Sequence, residues 1–143
     1  MTLPILMLLG FAAWTLLLLV ATVGIYRWSL ILTGSAAIAS FRADASDGAG
    51  WYQRGTRAHA NCIENLPVFG AIVFALQAAE ASGALVDALS VAIVAARIAQ
   101  SLVHTCFVQT DRVVSIRFSF YTVQAVSFLL LIGSIVARLG AAE

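Results

Sequence analysis

The chain has 143 residues, 62% of them hydrophobic and 10% charged, with a mean hydropathy of +0.97. That is too apolar for a soluble domain of this size, and it fits several membrane-spanning helices joined by short connections. The formal net charge is +1 and all eight basic residues are arginine, so no basic surface dense enough for nucleic acid is present.

The N-terminal run from Met1 through Tyr26 is apolar, has no basic segment before it, and is too long for a cleaved signal peptide. It reads as a retained first span. The apolar stretch extends from about Leu3 to Phe41, interrupted only by Arg27, which is longer than one bilayer crossing at about 1.5 Å per residue. Two placements of Arg27 follow. In one, the helix projects beyond the membrane and Arg27 snorkels at the interface beside Tyr26 and Trp28. In the other, Arg27 lies within the membrane and faces the bundle interior with an acidic partner. Gly34-Ser35-Ala36-Ala37, near the end of the stretch, is a small-residue patch suited to close helix contact.

Arg42 to Gly50 is the most polar and turn-rich part of the chain, with Asp47 a candidate helix cap. Trp51 and Tyr52 suit a water–membrane boundary. A second span is predicted from about Arg54 to Ala81. Pro67 within it cannot donate to the carbonyl of Ile63, which predicts a kink one turn below Glu64. Ser82-Gly83 closes this span, and a third runs from about Leu85 to Val108. After the polar turn Gln109-Thr110-Asp111-Arg112, a fourth runs from about Val114 to Leu139. The fold class is therefore all-α, one integral membrane domain of four helices covering residues 1–143.

Arginine placement predicts orientation. The first connection carries Arg42 and Arg54 and the third Arg112, with Arg117 just inside the next helix, whereas the second has Glu80 and Asp87 but no basic residue. By the positive-inside tendency, the first and third connections are cytoplasmic and the termini lie on the opposite side.

Three of the four spans bear polar stripes near the arginine-rich end. Arg57, Asn61 and Glu64 stand at i, i+4 and i+7, and so share one helix face. Arg97, Gln100 and His104 stand at i, i+3 and i+7, and Arg117, Tyr121 and Gln124 at i, i+4 and i+7. Taken singly, Gln100 or Gln124 reads as an inter-helix hydrogen bond, and Arg54 or Arg112 as a snorkelling helix end. Together, several arginines face a single glutamate on oily helices. A pair such as Glu64 with Arg97 leaves guanidinium groups over, and an anionic ligand satisfies them because the arginine fork matches carboxylates. Cys62 and Cys106 stand singly, without metal-type Cys/His spacing, and read as buried small hydrophobes, so no metal site is expected. Trp14, Phe118, Phe120 and Phe128 read as lipid-facing or packing aromatics.

The run Arg54-x-x-Arg57-Ala58-x-x-Asn61-x-x-Glu64, followed by Pro67-x-Phe69, resembles the signature of the membrane-associated proteins in eicosanoid and glutathione metabolism (MAPEG). The likeness extends to chain length, span count and a late Arg-x-x-x-Tyr, here Arg117 and Tyr121. It implies a homotrimer of four-helix subunits with glutathione, as co-substrate, bound at each subunit interface near the cytoplasmic face. By this resemblance Arg57, Asn61, Glu64 and Tyr121 hold the tripeptide, and Arg117 lies near its sulfur. Glutathione has two carboxylates and one ammonium, which assigns Glu64 to the ammonium and Arg57 with Arg97 to carboxylates, His104 lying in the same set. A cation near the thiol lowers its pKa, so Arg117 is the expected catalytic residue, stabilising a thiolate that attacks a lipophilic electrophile from the bilayer.

The third span admits two alignments with the family. One matches Arg97 to the family arginine, placing Gln100 and His104 where active members carry Tyr or His. The other matches His104-Thr105 to a His-Thr pair and leaves Ser101 at the arginine position. Phe118 stands where prostaglandin synthases carry a serine tied to isomerase chemistry, which argues against that activity. The expected function is a membrane-bound glutathione-dependent transferase or peroxidase, with itself, membrane lipids and a hydrophobic small molecule as partners. The competing expectation is a non-catalytic lipid- or glutathione-binding scaffold of the same fold. A small transporter subunit is disfavoured, because no inverted repeat or broken helix pair is evident.

Overall fold

The computed structural model describes residues 1–41 and 48–141; Arg42 and Asp47, read above as a charge marker and a cap, lie outside the described residues. Four helices are long and apolar enough to cross a membrane: α1 Leu3–Leu32, α2 Gly50–Ala78, α3 Ala84–Cys106 and α4 Asp111–Gly140. No strand occurs among the described residues. Helices α3 and α4 form the most extensive pairing, and α1 packs on α2 and α3. The core is a column of apolar side chains built around Phe11, Phe69, Leu76, Ile93, Phe128 and Leu131. The Phe69 ring is tilted against both Phe11 and Phe128, each at 6.1 Å.

The first helix ends nine residues earlier than the predicted Phe41. Its last turn closes as a Schellman motif, with Gly34 N–H donating to Ile31 and Ser35 N–H to Leu30. Gly34 sits in the left-handed region at φ +69°, where a residue without Cβ is favoured. The small-residue patch therefore serves as a helix stop, and among the described residues nothing lies within 4 Å of a Cβ built on Gly34. Within α1 the segment Leu19–Gly24 takes a π turn. Thr22 lies in it, its hydroxyl bonded to the carbonyl of Leu18 at 2.6 Å, and it presses on Gly55 of α2. A Cβ on Gly55 would stand 2.6 Å from that of Thr22. Gly55→Ala is accordingly expected to lower stability by about 1–3 kcal/mol through overpacking, read as a lower melting temperature in detergent.

The second helix begins four residues before the predicted Arg54, so Trp51 and Tyr52 lie in its first turn. Tyr52 is buried, stacked on Tyr26 at 4.1 Å, and Trp51 meets Tyr26 edge-on at 5.5 Å. Arg27 Nε donates to the Tyr52 hydroxyl at 3.0 Å, and its guanidinium lies 5.4 Å over the Phe41 ring. The aromatic boundary thus becomes an α1–α2 clasp that draws Arg27 towards α2. Helix α2 continues as an α-helix through Pro67.

The same helix stops at Ala78, short of the predicted Ala81, again in a Schellman motif: Glu80 N–H donates to Gln77 and Ala81 N–H to Leu76. Here the left-handed position holds Glu80, at φ +51°, where glycine is usual. Helix α4 starts three residues before the predicted Val114, because the Thr110 hydroxyl accepts from Val113 N–H and caps it. Of the two cysteines, Cys62 is buried as expected, but Cys106 is exposed, since it falls on the last residue of α3.

Candidate functional site

The polar stripes predicted on α2, α3 and α4 meet at one end of the bundle. Rise per residue sets their depth. Thirteen residues separate Arg97 from Ala84, which places it about 20 Å along α3 at 1.5 Å per residue. Glu64 stands fourteen residues from Ala78, about 21 Å along α2, and so at a matching height. Arg57 and Arg117 lie further on, about 32 and 35 Å from the far ends of their helices, close to where a hydrocarbon core of about 30 Å ends.

A cleft of about 420 Å³ opens among these groups, walled by Arg57, Asn61 and Glu64 from α2, His104 from α3, Gln109 from the α3–α4 connection and Arg117 from α4. The spacing that puts Arg57, Asn61 and Glu64 on one face of α2 aims all three into it. A second cleft, of about 210 Å³, adjoins the first through Asn61, Val114 and Arg117 and is completed by Gln100, Phe118 and Tyr121. Arg117 is common to both. Phe118 is 67% exposed, and its ring packs 6.2 Å from that of Tyr121 on the outer edge of the second cleft.

The cleft is electrostatically one-sided. The charges of Arg117, Arg57 and Arg54 all act on the His104 ring, and that of Arg57 acts on Arg117. Among the described residues, Glu64 is the sole carboxylate on the wall. Like charges held close beside low-dielectric apolar surface repel strongly, and an anion between them removes that repulsion. Two buried nitrogens point the same way. Nε of Arg117 and Nε2 of His104 have no hydrogen-bond partner, and buried polar groups are rarely left so.

Arg97 is placed apart from the wall residues. It is 1% exposed, lies 5.8 Å beneath the Phe11 ring, and leaves Nε and Nη2 without hydrogen-bond partners. The suggested pair with Glu64 is not a contact pair through those atoms: Glu64 is exposed on the cleft wall and acts on Arg97 electrostatically. Arg54 does more than snorkel, because its Nε donates to the Thr105 carbonyl at 3.1 Å and holds the last turn of α3.

Gln109, which the sequence placed only in a polar turn, is a wall residue. Its one advance signal is its position between His104 and Arg117. Gln100 and Gln124 form an amide relay behind the wall. Gln124 Nε2 donates to Gln100 Oε1 at 3.0 Å and to the Phe120 carbonyl at 3.0 Å, and Gln100 Nε2 donates to the Arg117 carbonyl at 3.3 Å. The relay fixes the height of α4, and so of Arg117, against α3. Gln100→Leu removes both inter-helix bonds, and a loss of about 1–2 kcal/mol in unfolding free energy is expected, measurable by denaturation in mixed micelles.

Residues 4–137 match the MAPEG family. Neither a curated protein nor a solved structure matches the chain.

Proposed function

The chain belongs to the MAPEG family, and on that premise we propose that it is a membrane-bound glutathione-dependent transferase or peroxidase. The observation that carries this reading is the make-up of one cleft wall: the cations Arg57 and Arg117, beside the His104 ring, with Glu64 the single carboxylate among the described residues. Glutathione carries two carboxylates and one ammonium, so its charges complement that wall. A volume of about 420 Å³ lies within the range of small-molecule sites, about 300–1,000 Å³.

Glu64 receives the γ-glutamyl ammonium and Arg57 a carboxylate, with Asn61 and Gln109 supplying neutral hydrogen bonds. His104, through its unpartnered Nε2, and Tyr121 complete the hold. Arg97 acts on a ligand carboxylate only if that carboxylate penetrates past the wall; otherwise it serves as a buried positive charge facing Glu64. Arg117 stands at the junction of the two clefts, and its guanidinium favours the thiolate over the thiol. The second cleft, with Phe118 and Tyr121 at its lipid-facing edge, receives a hydrophobic electrophile from the bilayer. In conjugation the sulfur lone pair forms the S–C bond, the leaving group departs with its electron pair, and the thiol proton passes to water. With a lipid hydroperoxide, the thiolate takes the outer oxygen and releases the alcohol, and a second glutathione converts the sulfenic acid to disulfide and water.

Homotrimer assembly is part of the same proposal. Arg57 and Glu64 are exposed on α2 in one copy of the chain. Left against acyl chains they are costly, whereas a neighbouring copy over this face both shields them and closes the cleft. The arginine-rich end is assigned to the cytoplasm, the compartment with a reducing glutathione pool.

Titration calorimetry with glutathione on the detergent-solubilised protein tests the reading. Saturable heat in the millimolar range or below supports it. Absence of heat overturns it in favour of a non-catalytic scaffold.

A further inference from the structure

At the end of the bundle away from the arginine-rich cleft, where α2 turns into α3 and α4 finishes, the structure holds a further, separate open cleft of about 400 Å³. Glu80, Ser82, Leu85 and Val86 line one side and Ser134 and Arg138 of α4 the other. Its position is that of a lipid headgroup: the helices leave the hydrocarbon at this level, Arg138 is in the last turn of α4, and Leu85 and Val86 supply an apolar floor.

Two observations mark it as more than a surface dent. Glu80 and Arg138 face the same cleft with opposite charge, yet no ion pair joins them. Opposite charges kept apart in one cleft complement a zwitterion, whose cationic and anionic ends are held apart in the same way. The second observation is the backbone of Glu80. Both α1 and α2 end in Schellman motifs, and α1 places Gly34 at the left-handed position, whereas α2 places Glu80 there. A side chain at that position strains the backbone, and such outliers cluster at ligand-binding sites.

We propose that this cleft binds the headgroup of a phosphatidylethanolamine lipid, with Arg138 on the phosphate and Glu80 on the ammonium. The guanidinium fork suits a phosphate, and a primary ammonium donates hydrogen bonds to a carboxylate. Ser134, whose hydroxyl proton is already given to the Leu130 carbonyl at 2.9 Å, keeps lone pairs free to accept from the same ammonium. A choline headgroup is a poorer match: it offers no N–H, and its usual receptor is an aromatic cage, while no aromatic ring lines this cleft. An anionic glycerol headgroup meets repulsion from Glu80.

The test is native mass spectrometry of the detergent-solubilised protein with an equimolar mixture of phosphatidylethanolamine, phosphatidylcholine and phosphatidylglycerol of identical acyl chains. The wild-type chain is expected to retain phosphatidylethanolamine several-fold over either competitor. Arg138→Gln is expected to lower its retention about tenfold, the loss of one charged contact. Glu80→Gly is the decisive variant. It relieves the backbone, so the melting temperature should hold or rise, while the preference over phosphatidylcholine disappears and phosphatidylglycerol retention increases. Equal retention of all three lipids by the wild type overturns the proposal, as does a preference that survives both substitutions. Because the cleft is remote from Arg117, glutathione binding by these variants should match the wild type, and failure here is distinguishable from failure of the proposed function.

Discussion

Replacing Arg117 by alanine is expected to slow conjugation of glutathione to a hydrophobic electrophile by roughly 10² to 10³, while the helical content and the assembly state stay unchanged. The magnitude follows from what the side chain does. A free thiol of pKa about 8.5 is only a few per cent ionised at neutral pH, and an adjacent cation raises that share by more than tenfold. Removing one group that stabilises developing negative charge in a dry site costs about 10² to 10³ in turnover. Arg117 is half-buried at the junction of the two clefts, and Gln100 holds its backbone carbonyl, which fixes the stem of the side chain beside the proposed sulfur position. Arg117→Lys should recover part of the rate, because the charge returns without the fork. Initial rates with an aromatic halide electrophile, together with the spectrum of bound thiolate, would decide it: unchanged turnover in Arg117→Ala removes the catalytic assignment, whatever happens to affinity.

Glu64→Gln is expected to weaken glutathione binding at least thirtyfold, with a smaller effect on turnover at saturation. Among the described residues, Glu64 is the sole carboxylate on a wall that carries the cations Arg57 and Arg117. Its loss therefore removes the ammonium's partner and adds to the unbalanced positive charge. With a neighbouring copy closing the cleft as proposed, the pair is desolvated; truncating one member of such a pair costs about 2–5 kcal/mol, and 2 kcal/mol is about thirtyfold in affinity. The same titration on S-methyl glutathione, which retains the ammonium and both carboxylates but cannot ionise at sulfur, should show the same loss. If both compounds bind Glu64→Gln as tightly as the wild type, the ammonium lies elsewhere.

Periodicity made one wall of the cleft legible in the sequence. Arg57, Asn61 and Glu64 recur at helical spacing, and a helix long enough to span a membrane leaves no other way to arrange them than on one face. The four spans were likewise readable, because length and hydropathy alone set them. What escaped depends on contacts between distant residues. That α1 stops at Leu32 is decided by Gly34 adopting a left-handed backbone, which an otherwise unbroken apolar run conceals. Tyr52 looked like an interfacial aromatic, yet Tyr26 across the bundle draws it inside. Arg97 shares a stripe with Gln100 and His104 but lies under Phe11, since seven residues set it about 10 Å from His104 along α3, at the level of the α1 ring. Arg54 caps α3 only because Thr105, fifty-one residues later, ends beside it.

The hydroxyl groups of this bundle are nearly self-contained. Thr15, Thr22, Ser90, Ser101, Thr105, Ser127 and Ser134 each donate to the carbonyl four residues earlier in their own helix. Such groups can enter lipid without waiting for a neighbour. Arg97, Gln100 and Gln124 cannot, and a central arginine alone disfavours insertion by about 2.5–3.5 kcal/mol. The last two helices therefore gain most by crossing the membrane together as a hairpin, each hiding the other's amides during biosynthesis, while the first helix can anchor the nascent chain unaided.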